Sequence, residues 1–116
     1  MNQEIYIDGS GFNGFKCKYS VAFDDGRTII EKFNNKRTNN EMEYEALIRA
    51  LQECKEKAVI YTDSQLVLNQ VMGKWKIKQN HLFGLVTQAK QLLDKKHANI
   101  QWIPREQNKP GHLLEK

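Results

Sequence analysis

Long apolar runs are missing from this sequence. No window approaches the roughly 18 consecutive apolar residues that a bilayer-spanning helix requires. The opening Met1-Asn2-Gln3-Glu4 lacks the basic and apolar regions of a secretory signal, so a cytoplasmic protein is expected. Cysteine is scarce. Cys17 and Cys54 have neither a CxxC spacing nor neighbouring histidines, which argues against zinc and leaves two buried free thiols. Repeats, low-complexity tracts and linkers are also absent, so the 116 residues read as one domain, 1–116, with a monomer expected at this size. The apolar share is not low: 40% hydrophobic against 28% charged residues excludes the disordered class.

What is present begins with a mild basic excess, 18 Lys+Arg against 14 Asp+Glu. This fits a polyanionic partner without requiring one. Glu4-Ile5-Tyr6-Ile7 alternates as a strand does and runs into Asp8-Gly9-Ser10-Gly11. Phe15, Cys17, Tyr19, Val21 and Phe23 are apolar at period two, with Lys16, Lys18 and Ser20 opposite, which predicts a half-buried strand. Asp24-Asp25-Gly26 signals a hairpin, and Thr28 to Phe33 returns. At Glu41 the period changes. Met42, Ala46, Leu47, Ala50, Leu51 and Cys54 form a helical stripe, with Asn39 or Asn40 available as its N-cap. Ala58-Val59-Ile60-Tyr61 reads as a strand buried on both faces, followed by a short helix from Gln65 to Met72. Gly73 to Gln79 is a loop carrying Lys74, Trp75, Lys76 and Lys78. Leu82, Leu85, Val86, Ala89, Leu92 and Leu93 predict a second amphipathic helix, and Ile100 to Ile103 a last strand stopped by Pro104. In the tail, Leu113-Leu114 suggests a short helix after Pro110. The order β-β-β-α-β-α-α-β gives an α/β fold. Its mixed five-stranded sheet has three antiparallel strands, then parallel ones, flanked by helices.

Three carboxylates stand out on this architecture. Asp8 follows the first strand and Asp63 the fourth, at the carboxyl ends where open α/β sheets place ligands. Glu43 shares one helix face with positions 47, 50 and 54, so it points toward the sheet, which is unfavourable without a cation or hydrogen bonds. Singly, each has an ordinary reading: a turn at Asp8-Gly9, a first-turn acid at Glu43, an N-cap at Asp63. Together they suggest a site for hard cations and two-metal phosphoryl transfer.

Ile5-Tyr6-Ile7-Asp8-Gly9-Ser10, Thr38-Asn39-Asn40-Glu41-Met42-Glu43-Tyr44-Glu45-Ala46-Leu47 and Ile60-Tyr61-Thr62-Asp63-Ser64-Gln65 resemble type 1 ribonuclease H in order and spacing. The resemblance implies the ribonuclease H fold. It also implies two Mg²⁺ or Mn²⁺ ions, and cleavage of the RNA strand of an RNA/DNA hybrid to 5′-phosphate and 3′-hydroxyl ends. By the same resemblance Asp8, Glu43 and Asp63 are catalytic metal ligands, with Glu43 near the ribose 2′-hydroxyl. Asn39, Asn40 and Gln65 match minor-groove contacts, and Gly9, Ser10 and Asn13 belong to another contact loop. For Asn39 and Asn40, capping is the competing role.

The sequence also departs from the family. His112 stands where a fourth carboxylate is usual, four residues after Asn108. Asn108 is the favoured substitute, because a hard cation prefers oxygen to imidazole. His112 as a base, Glu115 reaching back, or no fourth ligand are the alternatives. Arg105 stands in for a loop histidine, where it would contact phosphate or be a plain surface residue. The basic protrusion of many members is reduced to Gly73 to Lys78, where Trp75 either stacks on nucleic acid or joins the core. A non-catalytic hybrid-binding module, or a related enzyme acting on DNA, are the competing functions.

Overall fold

The computed structural model describes residues 2–11, 14 and 16–108. The expected helix after Pro110, and the predicted site residues Asn13, His112 and Glu115, lie outside them. Three strands open the chain: β1 (Glu4–Ser10), β2 (Cys17–Phe23) and β3 (Thr28–Phe33). Helix α1 (Asn39–Glu53) leads to β4 (Val59–Thr62) and α2 (Gln65–Val71). A single 3₁₀ turn, Asn80–Leu82, then leads into α3 (Phe83–Lys96), and β5 (Asn99–Trp102) closes the sheet. The strand order is β3-β2-β1-β4-β5. The first three strands pair antiparallel, and β1-β4 and β4-β5 pair parallel, as the element order predicts.

Local chemistry explains the joints. Between β2 and β3, Gly26 takes a φ of 94° and Asp25 Oδ1 accepts from Arg27 N, closing the hairpin. Helix α1 starts with a capping box: Thr38 Oγ1 accepts from Glu41 N, and Glu41 Oε1 accepts from Thr38 N. Thr38, rather than Asn39 or Asn40, is therefore the N-cap. Ser64, rather than Asp63, caps α2 by accepting from Val67 N.

The core lies between the sheet and the helices. Ile5, Ile7, Tyr19, Val21 and Ile60 meet Leu47, Ala50, Leu51, Val67, Leu82 and Val86 there. Helix α1 contacts β1, β2, α2 and α3, so more than one stripe of it is buried. Tyr44 lies outside the expected stripe, yet is fully buried and donates to Gln70 Oε1 of α2. The prediction that β4 is buried on both faces is corrected. Ile60 and Thr62 are buried, but Val59 and Tyr61 are only partly so. Tyr61 stacks on Tyr6 at 5.0 Å, and its hydroxyl donates to Glu4 Oε2. On β2 the alternation holds for Cys17, Tyr19, Val21 and Phe23, while Ser20 and Ala22 of the other face are buried too. Cys17 and Cys54 are buried free thiols. Among the described residues no helix is long and apolar enough to cross a membrane.

The capping box gives a direct test. Thr38→Ala is expected to lower unfolding free energy by about 1 kcal/mol in urea titrations, since Glu41 N loses its side-chain acceptor.

Candidate active site

The site forms where α1 crosses β1. The parallel register that sets Tyr6 beside Tyr61 runs on to bring Asp8 alongside Asp63. Asp63 follows β4 as expected. Asp8 lies within β1 rather than after it, because the pairing with β2 continues to Ser10. Glu43 approaches from the helix layer. Gly9 N donates to Glu43 Oε1 at 3.0 Å. A Cβ at Gly9 would stand 2.5 Å from both Glu43 N and Met42 C, so only glycine lets α1 seat this closely. One oxygen from each of Asp8, Glu43 and Asp63 lies within 4.8 Å of the others.

Electrostatics at this point are severe. Burial, more than repulsion by Asp63, pushes the Asp8 carboxyl from an ordinary 3.8 to about 6, with Arg105 opposing the shift. Glu43 is driven well above the usual carboxylate range, first by burial, then by Asp8 and Asp63. Both oxygens of Asp8, Glu43 Oε2 and Asn108 Oδ1 are buried with no hydrogen-bond partner among the described residues. Asn108 is fully buried. It donates through Nδ2 to Ile7 O at 2.8 Å and to Asp63 Oδ2 at 2.9 Å, which leaves Oδ1 as the free end of the amide. Four orphaned oxygens without nitrogen or sulfur suit a hard divalent cation, so the residues present fit Mg²⁺ or Mn²⁺.

The other expected site residues lie on several elements. Gly9 and Ser10 end β1, and Gln65 is exposed at the first turn of α2. Asn39 is exposed and its Oδ1 accepts from Gly11 N, so its amide works between two segments of the site instead of capping. Asn40 begins α1 half-buried, and Arg105 is exposed but within electrostatic reach of Asp8. Trp75 is not core: it is 47% exposed and lines a groove of about 540 Å³ with Lys74, Lys76 and Lys78. A second groove, about 520 Å³, is lined by Gly11, Lys36, Arg37, Thr38 and Asn39. The sequence reading missed Trp102, whose indole N–H donates to Asp63 O at 3.1 Å. Its only cue is that Trp102 pairs with Thr62, just before Asp63, which appears once β5 is aligned on β4.

The same architecture occurs in an RNase H1 from the halophilic archaeon Halobacterium salinarum. The two superpose with a TM-score of 0.83 at 26% identity, over 98% of this chain and 94% of that one. The profile of the reverse transcriptase-like family matches residues 25–116, a span that holds Glu43, Asp63 and Asn108. The chain is a member of the ribonuclease H family. The ribonuclease H chain is also 36% identical over 105 residues to the bifunctional protein Rv2228c of Mycobacterium tuberculosis. That match covers 86% of this chain but only 28% of the relative's length. The LC11 RNase H1, solved in complex with an RNA/DNA hybrid, superposes with a TM-score of 0.78 at 26% identity, over 97% of this chain and 93% of that one.

The raised carboxyl groups set the sign of a pH effect. In chelator the folded protein holds these protons more tightly than the unfolded chain, so their stabilising effect is present at low pH and lost as pH rises through about 6. Asp8→Asn is expected to match wild type near pH 4 and to exceed it in stability near pH 7, by up to about 3 kcal/mol. Urea unfolding in chelator at both pH values measures this; a gap that stays constant would contradict it. Separately, Gly9→Ala is expected to unseat α1 and lower the melting temperature by several degrees.

Proposed function

We propose that this chain is an endonuclease that hydrolyses the RNA strand of RNA/DNA hybrids, leaving 5′-phosphate and 3′-hydroxyl ends. The observation that carries this reading is the convergence of Asp8, Glu43 and Asp63, with unpartnered oxygens, in a member of the ribonuclease H family. The hybrid complex of the LC11 enzyme supports the choice of substrate. Asp8, Glu43 and Asp63 would hold two Mg²⁺ or Mn²⁺ ions, with Asn108 Oδ1 as the fourth protein oxygen. When bound, the ions supply activation of the attacking water and stabilisation of the leaving oxygen.

The chain's own groups do the rest. Asn108 and Trp102 fix Asp63 from two sides, by its carboxylate and its carbonyl. Glu43, beside the minor-groove contacts, reads the ribose 2′-hydroxyl. Asn39 spends Oδ1 on Gly11, which leaves its amide N–H groups for the substrate. Asn40, Gln65 and the Gly9-Ser10 segment complete the minor-groove face. Asn13 belongs to the same reading through its place in the sequence. Arg105 and the Lys36-Arg37 groove provide positive charge for phosphate near the site. Trp75, exposed among three lysines, offers a stacking surface. The reading includes one domain acting as a cytoplasmic monomer.

A gel assay on labelled hybrid, with RNA and DNA duplex controls, tests the proposal. Hybrid RNA alone should be cut in Mg²⁺ or Mn²⁺, with no cleavage in chelator or in Asp8→Asn and Asp63→Asn. Binding without cleavage in either cation would instead make the chain a hybrid-binding module. Trp75→Ala should weaken hybrid binding about tenfold, in line with the loss of one stacked base, while the product ends stay the same.

A further inference from the structure

Ser20 is a buried polar side chain beside Asp8 to which no role has been given. It is the direct partner of Asp8 across the β1-β2 ladder. Opposed residues of an antiparallel pair project from the same face, with Cβ atoms about 4.5–5.5 Å apart. Ser20 is fully buried, and its hydroxyl has no hydrogen-bond partner among the described residues. The two Asp8 oxygens are buried and unpartnered in the same way. An unsatisfied buried hydroxyl is destabilising, and alanine would fill the space without that penalty. Two positions along the same face, β2 carries a buried alanine, Ala22. Packing alone therefore gives no reason for a hydroxyl at position 20.

The chemistry of the pair supplies one. An ionised carboxylate only accepts hydrogen bonds, and a serine hydroxyl turns to donate wherever an acceptor lies in reach. We propose that Ser20 is a positioning residue for Asp8, its hydroxyl donating to the Asp8 carboxylate. The proposal rests on the metal-site reading of Asp8, Glu43 and Asp63. In it, Ser20 does not touch the cation. It fixes which way the carboxylate faces, as hydrogen-bond partners of metal-ligating carboxylates generally do.

Mn²⁺ titration by calorimetry, paired with melting curves in chelator, separates this role from packing. The proteins compared are wild type, Ser20→Ala, Ser20→Cys and Asp8→Asn. Wild type should bind Mn²⁺ and Asp8→Asn should lose most of that binding. Ser20→Ala should bind about tenfold more weakly, yet melt in chelator no lower than wild type. Ser20→Cys, close in size but a weaker donor, should fall between them. Unchanged Mn²⁺ affinity in Ser20→Ala overturns the proposal. So does a lower melting temperature with intact affinity, which assigns Ser20 to packing. If wild type itself binds no Mn²⁺, the metal-site reading fails and the role of Ser20 fails with it. That failure is read from wild type alone, so the two are distinguishable.

Discussion

Three carboxylates held within 4.8 Å of one another repel, and the rest of this structure is the means by which they are kept together. Left to themselves, such groups would move apart or bind protons. Here the sheet register fixes Asp8 against Asp63, and the seating of α1 on Gly9 fixes Glu43 over both. Asn108 ties Asp63 to the β1 carbonyl of Ile7, which joins the C-terminal part of the described chain to the first strand. The penalty is visible in the proton affinities of Asp8 and Glu43, both raised chiefly by burial. A fold that places charge where charge is unfavourable has stored a driving force for binding a cation.

Much of this was legible in the sequence, because the signals were periodic or local. Period-two alternation marked β1 and β2, and the stripe from Met42 to Cys54 marked α1. Glu43 was recognisable as an acid on an apolar face. The misreadings came where a decision depended on neighbours distant in sequence. The N-cap is an exception, since Thr38 and Glu41 form a capping box that is local in sequence. Trp75, left open between core and a stacking role, lies exposed among lysines. Tyr44, outside the expected stripe, is buried where α2 places Gln70 against it. Trp102 and Ser20 gain meaning only through strand pairing, which assigns each a partner that no linear spacing reveals.

Asn108 lies four residues before the departure from the family pattern. The position where a fourth carboxylate is usual holds His112, outside the described residues, but an amide four residues earlier already reaches the site. A neutral oxygen there adds no negative charge to a cluster that already has three acids. The amide nitrogen offsets part of the charge on Asp63, which a carboxylate in the same place would increase.

Helix α1 has a further consequence through its position. It contacts β1 and β2 of the sheet as well as α2 and α3, and it carries Glu43 in its second turn. A helix with partners in both the sheet and the helix layer does not fray independently, since releasing it exposes the core. The acidic cluster is therefore assembled only in the fully folded molecule. A form of this chain with α1 released has no Glu43 oxygen at the cluster.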